Sequence, residues 1–466
     1  MTLPGTATNP LRVAIVGAGP AGYYAADHLL KQDGVVVEVD MIDRLPTPYG
    51  LVRAGVAPDH QKIKAVTSAF DKVAANPRFR FFGGVDFGRD ITLSDLKMHY
   101  HQIVFSTGAQ TDRRMGIPGE DLEGSHPATE FVAWYNGHPD YRDCQFDLSQ
   151  ERAAVVGVGN VAIDVARILC RSPEELATTD IADYALEALR KSRIKEVYLL
   201  GRRGPAQAAF TNPELKEVGE LADADALAVP EEVELDPLTR ADVLKAQDRA
   251  TMKKVEILRE YATRKPTGKS KKLIMRFLVS PVEISGDEAG RVTALRLVRN
   301  RLEATQAGTL QAKATDQFET LPAGLVFRSV GYRGVALPGV PFHESWGVIL
   351  NETGRVLQAD TKQPATGLYA AGWIKRGPTG VIGTNKPDAA ETVACMMEDL
   401  AAGRILKPDE PDAAAAERMI HAHQPAYVSY QDWLKLNAAE VSRGKAAGRP
   451  RLKFTRVEDM LAALGR

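Results

Sequence analysis

The chain has 466 residues, 44% of them hydrophobic and 26% charged, which is enough for two or three globular domains with separate cores. Its 59 Lys and Arg residues balance 60 Asp and Glu residues, for a formal net charge of −1, so the composition gives no sign of a nucleic-acid-binding or membrane-surface protein. No apolar run approaches the roughly 18 residues of a membrane helix, and the N-terminal residues carry no targeting pattern. We therefore expect a cytoplasmic protein without membrane insertion.

The cysteines and two polar segments give further expectations. Cys144, Cys170 and Cys395 form no C-x-x-C pair and no metal-ligand spacing, which is typical of free thiols in a reducing compartment. We expect neither a redox disulfide nor a metal site. The leader of about ten residues is expected to be disordered. The basic segment at residues 265–272, before a strand at residues 273–280, is interpreted as a solvated hairpin tip.

A strand, a glycine-rich turn and a helix open the chain. The β-branched run at residues 12–16 is followed by Gly17, Gly19 and Gly22, and a helical pattern covers residues 21–31. In a dinucleotide-binding turn the first glycine allows the tight bend, the second lets the backbone approach a pyrophosphate, and the third lets helix and strand pack closely. The helix N-terminus offers unpaired N–H groups to the phosphates. The sequence therefore predicts a dinucleotide site here.

An acidic residue at the end of the next strand supports this prediction. Asp43 closes the predicted strand at residues 35–43 and stands 21 positions beyond Gly22, close to the offset of about 20 residues at which an acid binds the adenosine ribose. A glycine-rich turn that binds nothing is the alternative interpretation, because a single G-x-G-x-x-G is a weak signal. The strand context and the acid favour binding.

A second turn of the same design lies further along the chain. Gly157, Gly159 and Ala162 follow the strand at residues 153–156, and residues 161–170 continue as a helix. Alanine in the third position still permits close packing of helix and strand. We expect a second nucleotide at this turn.

The residues after the following strand predict which nucleotide binds there. A polar segment at residues 172–195, interpreted as one helix, leads to the strand at residues 196–200, and Arg202 and Arg203 follow it. An NAD-specific site would place Asp or Glu here, whereas two guanidinium groups suit a 2′-phosphate. NADPH is therefore favoured over NADH. A solvated pair of arginines at a strand end is the alternative.

Two turns with different ribose-binding residues imply two different dinucleotides in one chain. The economical pairing is FAD at the first and NADPH at the second, so that hydride passes from nicotinamide to flavin. Strands at residues 103–110 and 325–334 bracket the second turn. They predict an FAD domain at residues 1–110 and 332–466 and an NADP domain at residues 111–331. We expect an α/β fold with two Rossmann-like dinucleotide-binding domains built on parallel sheets.

Three longer segments extend the pattern beyond the two turns. LPTPYGLVRAGVAPDHQKIK spans residues 45–64, LLGRRGPAQAAFTNPEL spans residues 199–215, and AAGWIKRGPTGVIGTNKPDAAETV spans residues 370–393. With them the sequence strongly resembles the ferredoxin:NADP reductases of the adrenodoxin reductase type, in order over nearly the whole chain. The resemblance implies a glutathione-reductase-like architecture. It also implies electron transfer from NADPH through FAD, singly, to a ferredoxin-type iron–sulfur protein that supplies cytochrome P450 or similar acceptors.

The same resemblance implies the site residues. The FAD-contacting positions are Gly17, Gly19, Pro20, Ala21, Gly22, Asp43, Leu51, Phe87, Trp373, Gly380, Val381 and Ile382. The NADP-contacting positions are Arg113, Val158, Gly159, Asn160, Val161, Arg202 and Arg203. His60 and Glu214 match a pair that the family places near nicotinamide and flavin, and they are the expected catalytic residues. Trp373 stands where related flavoproteins have Asp, and Gln61 stands where relatives often have proline.

Two other functions stay open at this point. An NADPH-dependent flavin oxidase or monooxygenase acting on a small molecule would use the same two dinucleotides without a protein partner. A dinucleotide-sensing protein would bind both and transfer nothing. The lack of a C-x-x-C pair in the sequence separates the chain from thioredoxin-reductase relatives, which need a disulfide relay. We expect a monomer whose partner is a ferredoxin-type iron–sulfur protein and not nucleic acid.

Overall fold

The computed structural model of the protein describes residues 3–306 and 309–466. The strands are β1 (Leu11–Val16), β2 (Val37–Asp43), β3 (Phe79–Gly83), β4 (Gln102–Phe105), β5 (Thr111–Asp112), β6 (Ser125–Pro127), β7 (Arg152–Val156), β8 (Glu196–Leu200), β9 (Ala224–Ala228), β10 (Lys271–Arg276), β11 (Val279–Gly286), β12 (Val292–Ala304), β13 (Leu310–Pro322), β14 (Leu325–Arg328), β15 (Tyr332–Arg333), β16 (Phe342–His343), β17 (Val348–Ile349), β18 (Asn351–Glu352), β19 (Arg355–Leu357) and β20 (Pro364–Ala370). The helices are α1 (Pro20–Leu30), α2 (Leu51–Ala54), α3 (Gln61–Lys64), α4 (Thr67–Ala74), α5 (Leu93–His99), α6 (Ala128–Tyr135), α7 (Asn160–Cys170), α8 (Pro173–Leu176), α9 (Asp183–Arg190), α10 (Asn212–Gly219), α11 (Pro230–Val233), α12 (Pro237–Ala246), α13 (Arg249–Thr263), α14 (Trp373–Arg376), α15 (Asn385–Ala401), α16 (Ala413–His423), α17 (Tyr430–Ala446) and α18 (Val457–Ala463).

The chain forms two compact units. The first unit comprises Met1–Val56, His60–Thr111 and Tyr332–Arg466, and the second comprises Ala57–Asp59 and Asp112–Gly331. The assignment of FAD to the first unit and of NADP to the second stays a prediction.

The first unit is built around a mainly parallel sheet. Among the described residues this sheet has seven strands in the order β18-β19-β20-β4-β1-β2-β3. β20, β4, β1, β2 and β3 are parallel to their neighbours, and β18 and β19 are added in antiparallel orientation. All residues of β1 are buried, as in parallel strands that are covered on both faces. The turn after β1 therefore opens at the carboxyl edge of the sheet, where α/β proteins bind nucleotides.

The second unit repeats this plan and adds a second sheet. Within the described residues its parallel sheet has six strands in the order β6-β14-β7-β8-β10-β9. A separate antiparallel sheet, β11-β12-β13, follows β10 directly. Leu278 lies between β10 and β11 with a φ of 55°, a left-handed conformation that is uncommon outside glycine. This kink divides the strand predicted at residues 273–280 between two sheets.

The predictions for two polar segments and for the leader are wrong. Residues 172–195 contain two helices, α8 and α9, because the chain leaves the helical conformation between them: the hydroxyl of Thr179 donates to the carbonyl of Leu176 at 2.7 Å, and Ala182 is extended, with φ −66° and ψ 139°. Residues 265–270 connect α13 to β10 and form no hairpin tip, and Asp225 accepts hydrogen bonds from the N–H (2.8 Å) and hydroxyl (2.7 Å) of Thr267. In the leader, the carbonyl of Gly5 accepts a hydrogen bond from the N–H of residue 36 at 2.7 Å.

Candidate dinucleotide sites

The first glycine-rich turn joins β1 to α1, and its glycines have different steric roles. Gly17 has a φ of 108°, and a Cβ there would lie 2.6 Å from the carbonyl oxygen of Ser106. A Cβ on Gly22 would overlap the carbonyl oxygen of Gly17, whereas a Cβ on Gly19 would meet no atom within 4 Å. The fold therefore requires Gly17 and Gly22. The open space at Gly19 is what the approach of a pyrophosphate requires.

The first turn of α1 has no side-chain cap. Gly19 is the N-cap residue, and no side chain among residues 3–306 and 309–466 accepts a hydrogen bond from the first N–H groups. Pro20 occupies the first helical position, where its fixed φ suits a helix start and its missing N–H costs nothing. The unpaired N–H groups of Ala21 and Gly22 add to the positive end of the helix dipole. This helix start therefore favours an anion.

Asp43 lies at the end of β2 and is bonded into the same turn. One carboxylate oxygen accepts a hydrogen bond from the N–H of Ala18 at 2.7 Å, and the other accepts one from the N–H of Leu45 at 2.9 Å. Burial raises the pKa of Asp43, and the two backbone donors act in the opposite direction. Each oxygen retains a further lone pair, so the carboxylate is able to accept hydrogen bonds from ribose hydroxyls.

Two more of the predicted FAD positions, Leu51 and Phe87, lie close to this turn. Leu51 begins α2 directly after Gly50, and a Cβ on Gly50 would lie 2.9 Å from the Cα of Gly19. Phe87 packs on Phe105, the last residue of β4, with ring centroids 5.5 Å apart. The structure thus brings both positions to the edge of the sheet where the first turn opens.

The segment between β20 and α15 contains the remaining predicted FAD residues, Trp373 and residues 380–382. It begins against α1, because a Cβ on Gly372 would lie 2.5 Å from the Cβ of Ala21. It ends in a 3-10 turn, Ile382–Thr384, whose N-cap residue Val381 provides no side-chain cap. This turn continues directly into α15, which gives a second uncapped helix start in the same unit.

An ion network that the sequence analysis missed holds this segment in place. Asp388 accepts a hydrogen bond from the N–H of Gly372 at 2.5 Å. The nitrogen atoms of Lys375 and Arg376 lie 3.4 Å from its other oxygen. Arg376 also donates to the carbonyl of Thr379 at 2.5 Å. The sequence marks Asp388 only as an acidic residue in the first turn of a helix. This position does not predict its hydrogen bond with Gly372.

The second turn, between β7 and α7, has the same geometry as the first. Gly157 has a φ of 138°, and a Cβ there would overlap the carbonyl oxygen of Ser329. A Cβ on Gly159 would meet no atom within 4 Å. Gly159 is the N-cap residue of α7 and, having no side chain, provides no side-chain cap. Its φ of −100° and ψ of 176° are close to the φ of −84° and ψ of −178° of Gly19. The two turns are therefore equivalent as sites for a pyrophosphate.

Arg202 and Arg203 follow β8, the strand predicted with the same limits. Arg202 is exposed and Arg203 is half-buried. Within residues 3–306 and 309–466, neither guanidinium group forms a hydrogen bond or an ion pair with another side chain. Burial, followed by the charge of Arg202, lowers the pKa of Arg203. Two adjacent cations without a carboxylate partner attract a phosphate strongly.

Glu214 lies in the first turn of α10 and contacts the second glycine-rich turn. The amide nitrogen of Asn160 donates to the Glu214 carboxylate at 3.2 Å, and its amide oxygen accepts from the N–H of Thr211 at 3.0 Å. The carbonyl of Val158 accepts from the N–H groups of residues 209 and 210 at 2.8 and 3.1 Å. Asn160 therefore joins the start of α10 to the start of α7.

Comparison with known proteins identifies the family. The sequence model described as pyridine nucleotide-disulphide oxidoreductase matches residues 11–203. NADPH-ferredoxin reductase FprA of Mycobacterium tuberculosis is 45% identical over 463 residues, which cover 97% of this chain and 99% of that protein. Mitochondrial NADPH:adrenodoxin oxidoreductase of Homo sapiens is 42% identical over 464 residues, which cover 97% of this chain and 92% of that protein. The chain belongs to the NADPH-ferredoxin reductase family.

A solved structure of a relative shows that the fold is also shared. The structure of Mycobacterium tuberculosis FprA in complex with NADPH matches with a TM-score of 0.92 and 44% identity, over 98% of this chain and 100% of that chain. The predicted family and the predicted α/β fold class with Rossmann-like domains are thus confirmed. No helix in the part of the chain that the structure describes is long and apolar enough to cross a membrane.

The predicted catalytic pair of this family member is divided between the two units. His60 belongs to the first unit and caps α3, where its carbonyl accepts hydrogen bonds from the N–H groups of residues 63 and 64. Gln61 is the first residue of α3, a position where proline is also tolerated, so the replacement leaves the helix start intact. Glu214 belongs to the second unit. Joint action of His60 and Glu214 stays a prediction.

The remaining predicted NADP positions lie around the second turn. The N–H of Arg113 donates to the carbonyl of Gly331 at 2.8 Å, two residues beyond Ser329, which contacts the turn. Val158 and Val161 are partly buried and pack against the hydrophobic core of the second unit. Their side chains help to fix the turn, and their backbone is what a nucleotide would meet.

Proposed function

We propose that this protein is an FAD-containing NADPH–ferredoxin reductase, which takes electrons from NADPH and delivers them one at a time to a ferredoxin-type iron–sulfur protein. The observation that carries the proposal is the pair of equivalent turns with opposite charges beside them. A carboxylate suits the free ribose hydroxyls of FAD, and two arginines suit the 2′-phosphate of NADPH. Membership of the NADPH-ferredoxin reductase family supports the same assignment.

In the first unit, the residues present fit FAD. Gly19 leaves room for the pyrophosphate, the uncapped start of α1 provides N–H donors, and Asp43 provides the ribose acceptor. Trp373 and residues 380–382 lie on the segment that would meet the flavin ring. Bound FAD supplies the conversion between two-electron and one-electron transfer. The uncapped helix start at Ile382 would favour negative charge on a flavin ring bound beside it.

In the second unit, the residues proposed to bind the adenosine end of NADPH differ from the residue proposed to act at its nicotinamide end. Arg202 and Arg203 would bind the 2′-phosphate, and Gly159 with the start of α7 would bind the pyrophosphate. Asn160 holds Glu214 beside that turn. Glu214 is proposed to position the nicotinamide, so that binding energy from the remote phosphate is used to orient the reacting ring. A catalytic role for His60, in the first unit, stays an expectation from the sequence. A monomeric state and a cytoplasmic location belong to the proposal as expectations from the sequence.

The experiment that tests the function is an anaerobic titration of the purified protein with NADPH. We expect visible flavin absorbance before addition, and loss of the flavin bands after one equivalent of NADPH. NADH at the same concentration serves as the control and should act far more slowly. Subsequent reduction of cytochrome c should depend on added ferredoxin.

Two outcomes would contradict the proposal. If NADPH binds but leaves the flavin bands unchanged, the protein is a dinucleotide-binding protein without turnover. If the flavin is reduced but ferredoxin never accelerates cytochrome c reduction, while oxygen is consumed, the protein is an oxidase or monooxygenase.

A further inference from the structure

The backbone of the arginine pair is held by Asn300 of the antiparallel sheet and by Leu278, just before that sheet begins. The carbonyl of Arg202 accepts a hydrogen bond from the amide nitrogen of Asn300 on β12 at 2.9 Å. The carbonyl of Arg203 accepts one from the N–H of Leu278 at 3.1 Å. In the described residues neither arginine side chain has a side-chain partner. The backbone hydrogen bonds therefore fix the backbone positions from which the two arginine side chains extend.

Asn300 is itself rigidly placed. The residue is 9% exposed, and its amide nitrogen also donates to the hydroxyl of Ser280 at 2.8 Å. Its own N–H donates to the carbonyl of Leu278 at 2.7 Å, and the pairing of β12 with β13 shifts register between Val298 and Asn300. One residue thus connects Arg202 to the kink between β10 and β11.

We propose that Asn300 is a positioning residue for coenzyme selectivity, which fixes the backbone of Arg202 so that Arg202 and Arg203 face the 2′-phosphate together. This inference rests on the proposed function. Two adjacent cations repel each other, so the paired orientation has to be imposed before the phosphate arrives. A site that is ordered in advance loses less free energy on binding than one that must order.

The first test is binding, measured by calorimetry on the FAD-loaded protein. Asn300→Leu removes both N–H donors at nearly constant volume, and it should weaken binding of adenosine 2′,5′-bisphosphate by about fivefold or more. Binding of 5′-AMP, which has no 2′-phosphate, should stay within about twofold of wild type. Equal loss for the two ligands, or no loss for either, would overturn the proposal.

Thr315→Val provides a matched control on the same pair of strands. The Thr315 hydroxyl donates to the carbonyl of Arg299 at 2.8 Å, so the substitution removes the same kind of hydrogen bond one residue away from Asn300. Binding of both nucleotides should stay at the wild-type level. If Asn300→Leu loses FAD or unfolds, Asn300→Ser replaces it, because the shorter hydroxyl no longer reaches both partners.

A double variant separates positioning from a general loss of stability. If Asn300 acts through Arg202, Arg202→Ala combined with Asn300→Leu should bind adenosine 2′,5′-bisphosphate no more weakly than Arg202→Ala alone. Additive losses would contradict the inference. In kinetics, Asn300→Leu should raise the KM for NADPH and leave kcat and the NADH parameters unchanged.

The inference and the proposed function fail in different ways. If Arg202→Ala itself leaves discrimination between the two nucleotides unchanged, the proposed coenzyme site is wrong. If Arg202→Ala removes discrimination and Asn300→Leu does not, only the role of Asn300 is wrong.

Discussion

The two glycine-rich turns differ in the side chains beside them and hardly at all in their backbone. Gly19 and Gly159 have similar torsion angles, open space and an uncapped helix behind them. Asp43, however, is hydrogen-bonded into its own turn, whereas the side chains of Arg202 and Arg203 have no side-chain partner in the described residues. In the proposed function the backbone of each turn binds a pyrophosphate, and the side chains after the following strand select the nucleotide. Asp43 also supports the fold through its two backbone hydrogen bonds, whereas the arginine side chains are proposed to act only on the ligand.

The largest expected effect separates the glycines that the fold needs from those that the ligand needs. Gly17→Ala should lower the free energy of unfolding by about 3 kcal/mol or more, because φ of 108° is strained for alanine and its Cβ would press on the carbonyl of Ser106. Gly19→Ala should leave the unfolding free energy within about 1 kcal/mol of wild type and still lose FAD. Denaturant unfolding and FAD content measure the two effects. Equal stability of both variants would refute the distinction.

Gly159→Ala extends this comparison to the second turn. It should weaken NADPH binding while FAD content stays at the wild-type level, because we propose that each open glycine makes room for a different nucleotide. Loss of FAD from Gly159→Ala would show that the turns are not independent.

A buried histidine in the first unit should make folding sensitive to acid. His101 accepts a hydrogen bond from the N–H of Arg12 at 3.0 Å, and burial, followed by the charge of Arg12, lowers the pKa of His101 from 6.5 to about 4. The neutral form is favoured in the folded state, so its stabilising contribution is complete above pH 6.5 and is lost as pH falls through 4. The full loss is about 3 kcal/mol. His101→Gln should flatten the dependence of unfolding free energy on pH in this window, and an unchanged slope would contradict the assignment.

Removal of Asp43 should weaken FAD binding by about 1.5 to 3 kcal/mol, because a charged acceptor for two hydroxyls is lost. Asp43→Ala should also lower the stability of the FAD-free protein slightly, since the N–H groups of Ala18 and Leu45 lose their acceptor. FAD retention after dilution and unfolding of the FAD-free protein measure these effects. Arg203→Ala is the matched control and should change neither. FAD retention at the wild-type level in Asp43→Ala would place the ribose elsewhere.

Local constraints explain what could be predicted from the sequence. Gly17 and Gly157 are required by positive φ and by close contacts with the backbone of a neighbouring strand end, so the glycine spacing together with the preceding strands indicates the turns. The strand before Arg202 has the predicted limits because its apolar run is short and bounded. The start of α8 could have been predicted, since the S-x-x-E pattern of a capping box is present at Ser172, but this pattern does not mark the break between α8 and α9.

Contacts between distant segments explain what could not be predicted. Asn300 is 98 positions from Arg202 in sequence, and only the register of β12 in the antiparallel sheet brings them together. Asp388 binds the N–H of Gly372 across a loop and a helix start. No periodicity or motif in the sequence marks either contact.

The most direct test of two different dinucleotides in this chain is the ratio of kcat/KM for NADPH to kcat/KM for NADH in wild type, Arg202→Ala and Arg203→Ala. A charge-assisted contact to phosphate is worth about 1.5 to 3 kcal/mol when shielded from solvent, and exposure reduces this value for Arg202. We expect the ratio to fall at least about tenfold in Arg203→Ala and less in Arg202→Ala, through KM and with unchanged FAD content. A ratio within about twofold of wild type in both variants would contradict the assignment of NADPH to the second turn.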